Sequence, residues 1–139
     1  MNGNIKATFD HPAARLNEKK SIVFTAMSKK YFYMRMLVVK YVLEKGSVPI
    51  NPFMSFDYFL VDTVDRDIVR NANNNLVDIA DELWVSGSVS DGVIVEIKRV
   101  LQKGKSVRFF SITDDREISE ISKEKLTFED GMEKYRNDF

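Results

Sequence analysis

The pattern that most constrains this fold is a strand, a loop of small residues, a helix and a second strand in close succession. The runs at residues 83–85 and 107–110 are short and apolar, which is typical of buried strands. Between them Val93, Ile97 and Leu101 recur with the spacing of one helical face. Two strands joined by a helix lie parallel in one sheet, so this stretch predicts a βαβ unit.

The first half of the chain repeats this alternation. Strands are predicted at residues 21–25 and 48–50, and helices at residues 30–45 and 62–79. The expected buried faces of the two helices are Phe32, Met36, Val39, Val42 and Leu43 in one, and Val64, Ile68, Ala72, Leu76 and Ile79 in the other. The pattern therefore predicts an α/β three-layer sandwich, with a mostly parallel sheet of about four to five strands and helices on both faces.

Length and composition limit the classes of protein. The 139 residues suit a single domain, with residues 1–20 as an N-terminal arm and residues 111–139 as a polar C-terminal extension. The formal net charge of zero disfavours a partner such as a nucleic-acid polymer. Without Cys, and with His11 as the only His, we expect no metal and no other cofactor. No apolar run could span a membrane and no signal core is seen, so a cytoplasmic location is expected.

Ligands of parallel sheets bind at the carboxyl ends of the strands. The candidate binding residues near those ends are Ala26, Met27, Ser28, Tyr31, Asn51, Phe53, Gly87, Ser88, Ser90 and Gly92. The loop at residues 87–92 leads into a helix N-terminus, which favours an anion, although the Asp91 carboxylate would repel one. The alternative is that Ser90 or Asp91 only caps the helix.

Glu96 is the candidate for chemistry, although local spacing alone favours a surface glutamate paired with Arg99. Three segments around it favour the first interpretation: IADELWV at 79–85, SDGVIVEI at 90–97 and GKSVR at 104–108. In this order and spacing they resemble the nucleoside 2-deoxyribosyltransferase-like superfamily, and are most similar to a branch of unknown function. The resemblance covers roughly residues 22–110.

The resemblance implies a flavodoxin-like (Rossmann-like) sheet and an N-glycosidase or deoxyribosyltransferase activity. Glu96 would be the nucleophile that attacks C1′ of a nucleoside or nucleotide, with Asp91 as a possible partner. Ser90 would contact phosphate, and residues 26–28 would contact sugar or phosphate. The resemblance also implies a homo-oligomer, at least a dimer.

One position departs from the superfamily. The Asp that helps handle the base or sugar is replaced by Asn73, and an amide cannot act as a carboxylate acid or base. The alternative function is therefore an inactive nucleotide-binding or sensor domain. Two further features stay open: the aromatic stretch Phe53, Phe56, Tyr58 and Phe59 could stack on a base or cover an oligomer contact, and Arg66 and Arg70 could bind phosphate or form a solvated face.

Overall fold

The computed structural model describes residues 7–56, 60 and 63–139. Within these residues, five strands form one sheet in the order β2-β1-β3-β4-β5. They are β1 (Ile22–Ala26), β2 (Val48–Ile50), β3 (Glu82–Ser86), β4 (Ser106–Ile112) and β5 (Ile118–Ile121). The first four are parallel, and β5 runs antiparallel to β4. The predicted α/β fold with a mostly parallel sheet is confirmed, and the parallel order is the flavodoxin-like one.

Helices cover both faces of this sheet. The described α-helices are α1 (Arg35–Glu44), α2 (Pro52–Ser55), α3 (Arg66–Ile79) and α4 (Asp91–Gln102), and short 3-10 segments lie at Pro12–Arg15, Lys29–Met34, Lys123–Lys125 and Glu133–Asp138. Neighbouring residues of a strand point to opposite faces. Trp84 therefore packs against Val42 of α1, whereas Leu83 and Val85 pack with α3 and α4.

The predicted buried face of α1 is wrong in part. Val42 is buried as predicted, but Met36 is 60% exposed and Leu43 is 57% exposed, and Val38 is buried in their place. Met34, at the end of the 3-10 segment that precedes α1, is buried as well. Apolar residues occur on most sides of α1, so the pattern allowed more than one rotation.

The predicted face of α3 is also wrong in part. Leu76 packs against the core as predicted, but Ile68 and Ile79 are 63% and 59% exposed, and Val77 is buried, followed by Ala80 at the helix end. Apolar residues occur on more than one side of this helix, so the pattern allowed more than one rotation. The predicted start at Asp62 lies outside the described residues, and Asp65 caps the observed helix.

The C-terminal extension contributes to the core. Beyond β5, Leu126 is 2% exposed and belongs to the largest buried cluster, against which Phe128 and Phe139 pack. Arg136 donates to the carbonyls of Lys123, Glu124 and Leu126, and so ties the tail to the segment before it. The last part of the extension forms the 3-10 segment Glu133–Asp138. In contrast, residues 7–20 of the predicted arm are exposed throughout.

Across the described ranges, none of the helices has the length and apolar character needed to cross a bilayer.

Candidate functional site

A cleft of about 580 Å³ opens at the carboxyl edge of the sheet. It lies where the strand order reverses, because the chain leaves β1 for β2 on one side and later returns to β3 on the other. Its apolar lining is Met27, Pro52, Phe53, Phe56, Val69, Val93 and Val95. Its polar lining is Lys29, Arg66, Arg70, Asn73, Asn74, Ser90 and Glu96, with Gly92 beside them.

Glu96 reaches this cleft from the buried side of α4. Ser90 caps the helix by accepting from the Val93 amide at 3.4 Å, and the turn that follows places Glu96 toward the sheet with 8% of its surface exposed. A buried carboxyl needs a hydrogen-bond partner, and Asn73 provides one. The Asn73 Nδ2 donates to Glu96 Oε2 at 2.8 Å.

Burial raises the pKa of Glu96 to about 7, and the hydrogen bond from Asn73 opposes this rise. The removal of water penalises the charged form of an acid, so the neutral and ionised forms of Glu96 are both populated near neutral pH. A side chain with such a pKa in a cleft is a candidate functional group.

The run of three asparagines in α3 has three separate roles. Asn73 holds Glu96, Asn74 lines the cleft, and Asn75 donates to the Asn71 carbonyl at 2.9 Å. The helix continues through the run. Asn73 Oδ1 is buried and has no hydrogen-bond partner among the described residues.

The alternative pairing of Glu96 with Arg99 is not present. Arg99 instead forms a bidentate ion pair with Asp78, with Nε to Oδ1 at 2.6 Å and Nη2 to Oδ2 at 2.8 Å. This guanidinium holds the pKa of Asp78 well below its usual range. The two acids next to α4 therefore have opposite character, with Asp78 ionised in a surface pair and Glu96 buried without a cation.

Three predicted binding residues, Tyr31, Gly87 and Ser88, lie outside the cleft lining and contact one another. The Tyr31 hydroxyl donates to Ser88 Oγ at 3.0 Å and accepts from the Ser88 amide at 3.1 Å. The Tyr31 ring covers Gly87, which has a φ of +80°, and a Cβ at Gly87 would approach the ring at 2.6 Å. Ser88 Oγ also bonds Thr127 Oγ1 at 3.0 Å, which connects the loop to the C-terminal segment.

Asn51 positions two lining residues. Its amide donates to Thr25 Oγ1 at 2.9 Å and to Met27 Sδ at 3.4 Å, and its Oδ1 accepts from the Phe53 amide at 3.0 Å. The Asn51 side chain is itself buried. It therefore acts on the cleft through Met27 and Phe53.

The remaining predicted residues also lie behind or beside the cleft. Ala26 is fully buried in the core, and Ser28 donates to the Glu129 carboxylate while capping Lys30. Asp91 is exposed and its Oδ1 accepts from the Gly92 amide at 2.7 Å.

The structure thus brings six of the thirteen candidates listed above into the cleft lining, namely Met27, Phe53, Asn73, Ser90, Gly92 and Glu96. Sequence reasoning did not assign six other lining residues to the site, namely Lys29, Pro52, Val69, Asn74, Val93 and Val95. Lys29 follows the β1 end directly, which was an available signal. Arg66 and Arg70 share a helical face with Asn73, which would have placed them beside Glu96 once that pair was recognised. Tyr58 and Phe59 lie outside the described residues.

Metal-ligating side chains do not cluster in threes anywhere in the described part of the chain. The lining therefore offers a carboxyl, amides, cations and an apolar wall as its chemical groups.

The fold and the site define a flavodoxin-like α/β domain with a buried carboxyl at its topological switch point. Residues 24–110 match the model of a family described as a domain of unknown function, DUF7768, and the chain belongs to this family. Its structure is similar to that of a 2-desoxiribosyltransferase from Leishmania mexicana, with a TM-score of 0.50 and 16% sequence identity. That similarity covers 71% of this chain and 78% of the other, and shows a shared fold. No curated protein matches the sequence.

Proposed function

We propose that the protein cleaves the N-glycosidic bond of a nucleoside or nucleotide, with Glu96 as the nucleophile. The observation that carries this proposal is the buried Glu96 carboxyl, held by Asn73 and opening into the cleft at the switch point. Support comes from the fold shared with a deoxyribosyltransferase and from the aromatic side chains of Phe53 and Phe56 on the cleft wall. Aromatic rings can stack on a base.

In the proposed reaction, one Glu96 oxygen forms a bond to C1′ while the bond from C1′ to the base nitrogen breaks. The electron pair of that bond leaves with the base, which takes a proton. Water or a second base then attacks C1′ and releases Glu96. Because Asn73 donates to Oε2, the other carboxylate oxygen is free for the attack.

Burial of Glu96 sets the pH dependence of this reaction, and the amide at position 73 determines where the proton for the leaving base comes from. Only ionised Glu96 can attack, and its pKa is raised to about 7 by burial, so the attack step should become faster as the pH rises through about 7. Asn73 cannot donate a proton to the departing base as an acid would, so the proton comes from solvent. Bases that leave readily without strong acid assistance should therefore be preferred.

The test is incubation with a panel of ribo- and deoxyribonucleosides and their phosphates, followed by chromatographic detection of free base. Glu96→Ala and Glu96→Gln should lower the rate about a thousandfold or more. Glu44→Gln, an exposed glutamate on α1, is the matched control and should retain the wild-type rate. Release of base by Glu96→Ala at the wild-type rate would overturn the mechanism.

A second candidate is a nucleotide-binding or sensor domain without turnover, which Asn73 favours because Glu96 is the one carboxyl among the described lining residues. In that case nucleotides would raise the melting temperature of the protein while no base appears. Measurable turnover would eliminate this candidate.

In either function we propose a homo-oligomer of at least two copies, which light scattering during size exclusion would measure.

A further inference from the structure

The cleft concentrates positive charge in a chain that is neutral overall. Lysines plus arginines and aspartates plus glutamates are both 21. Yet the described lining contains three cations, Lys29, Arg66 and Arg70, and one acid, Glu96. Like charges gathered in one cleft repel each other, so an anionic ligand would be favoured there.

The cations stand apart from the carboxyl along α3. Arg66, Arg70 and Asn73 follow the spacing of one helical face, and Asn73 marks the position of Glu96 through its hydrogen bond. At a rise of about 1.5 Å per residue, Arg70 lies about 5 Å and Arg66 about 10 Å along the axis from Asn73. Lys29 enters the cleft from another wall, just after β1. Along α3 the cleft therefore has a carboxyl end, at Asn73, and a cationic end, at Arg66 and Arg70.

The cationic side chains are available to a ligand. Lys29 and Arg66 are exposed, and neither has an ion pair or a side-chain hydrogen bond to the described residues. Arg70 contacts Asp67 at 3.1 Å, but the two side chains are 68% and 85% exposed, so the pair is weak.

Three other arginines form ion pairs within the fold. Arg99, Arg108 and Arg136 each hold a carboxylate with two hydrogen bonds. In contrast, Arg66 has no ion pair among the described residues and Arg70 has only the exposed pair with Asp67.

The N-terminus of α4 is a poorer anion site than these side chains. Ser90 Oγ already accepts from the Val93 amide, and the Asp91 carboxylate accepts from the Gly92 amide. The local carboxylate would repel a phosphate. At the cationic end the Asp67 carboxylate contacts Arg70, but this pair is exposed and weak, and Lys29 and Arg66 have no carboxylate partner among the described residues.

We propose that Lys29, Arg66 and Arg70 form a phosphate-binding subsite, so that the substrate is a nucleoside phosphate and not a nucleoside. This inference rests on the proposed function for the base and sugar. Guanidinium groups match phosphate oxygens with paired N–H donors. A nucleotide places its phosphate on the far side of the sugar from its base, which suits a cleft with C1′ near Glu96 and cations further along α3.

The test measures binding in the Glu96→Gln background, where the ligand should stay intact. Each nucleoside is compared with its 5′-monophosphate by calorimetric titration, and ribose 5-phosphate is the probe without a base. We expect the monophosphates to bind at least about tenfold more tightly, and this advantage to shrink about tenfold in Arg66→Ala/Arg70→Ala and in Lys29→Ala. It should also shrink as salt rises from about 0.05 M to about 0.5 M. Lys30→Ala removes an exposed neighbouring charge outside the lining and should leave the advantage unchanged.

The outcomes separate the two proposals. Equal affinity for nucleosides and monophosphates, or an advantage that survives Arg66→Ala/Arg70→Ala, would overturn the subsite while leaving the proposed function standing. Arginine-dependent binding of ribose 5-phosphate without binding of any nucleoside or nucleotide would support the subsite and overturn the proposed function. Absence of binding by all the phosphate probes would overturn the subsite.

Discussion

Replacing Glu96 with Gln tests whether this carboxyl is neutral when the protein is folded. Glutamine has nearly the shape of a protonated glutamate but does not ionise. In the folded wild type, burial raises the pKa of Glu96 to about 7 from 4.5. Between these values the unfolded chain has lost the proton while the folded protein keeps it, so wild-type stability falls as the pH rises and levels off above about 7.

The size of this change in stability follows from the difference between the folded and unfolded pKa values of Glu96. At about 1.4 kcal/mol per pH unit, the change from 4.5 to about 7 corresponds to about 3 kcal/mol of unfolding free energy. Most of it falls between pH 5 and pH 8.5, so the stability of Glu96→Gln relative to wild type should rise by about 2 to 3 kcal/mol over this range. The comparison of variant with wild type cancels the titration of all other groups.

Urea unfolding, followed by circular dichroism at several pH values, provides the measurement. Glu44→Gln on the exposed side of α1 is the control, and its stability relative to wild type should change by less than about 0.5 kcal/mol. If Glu96→Gln behaves like this control, the carboxyl is not held neutral by burial. A fall in the relative stability of the variant would mean that the Asn73 hydrogen bond outweighs desolvation.

Three further changes test other parts of the structure. Gly87→Ala and Gly46→Ala both place alanine at a positive φ, which should cost about 1 to 2 kcal/mol of unfolding free energy each. Only the new Cβ at position 87 would meet the Tyr31 ring. In urea unfolding, Gly87→Ala should therefore lose about 1 to 3 kcal/mol more than Gly46→Ala. Leu126→Ala should lower the unfolding free energy by about 2 to 5 kcal/mol, because this residue of the C-terminal extension is 2% exposed in the main core; a loss below about 1 kcal/mol would show that the extension is dispensable. Asn73→Asp should destabilise the protein by about 1 to 3 kcal/mol at pH 8, where two buried carboxyls compete for one proton, and the loss should shrink at pH 5; a loss independent of pH would contradict this coupling.

The sheet could be predicted from the sequence because its signals are local. The short apolar runs of β1 and β3, and the breaks that follow them, depend on residues within a few positions. The cap by Ser28 and the end of α1 near Gly46 likewise depend only on residues that are close in sequence. The order in which strands, loops and helices alternate then leaves few topologies.

Helix rotation could not be predicted in the same way. Met36 and Leu43 of α1, and Ile68 and Ile79 of α3, fit an apolar stripe but are exposed. The energy of burial depends on which side of a helix meets the sheet, and that depends on how the preceding segment is wound and on the neighbouring helix. The C-terminal extension was underestimated for the same reason, since Leu126 finds its core partners far away in sequence.

For the candidate site, the sequence by itself determined an acid on α4 near the carboxyl edge, together with an asparagine at position 73 on another predicted helix. It left the acid as either a surface residue or a buried one. The tertiary structure decided this, because Asn73 and Glu96 are 23 positions apart and meet only when α3 packs beside α4. The same packing gathers Lys29, Arg66 and Arg70 around one cleft. Desolvation and charge concentration are properties of the assembled surroundings, so no local pattern in the chain could specify them.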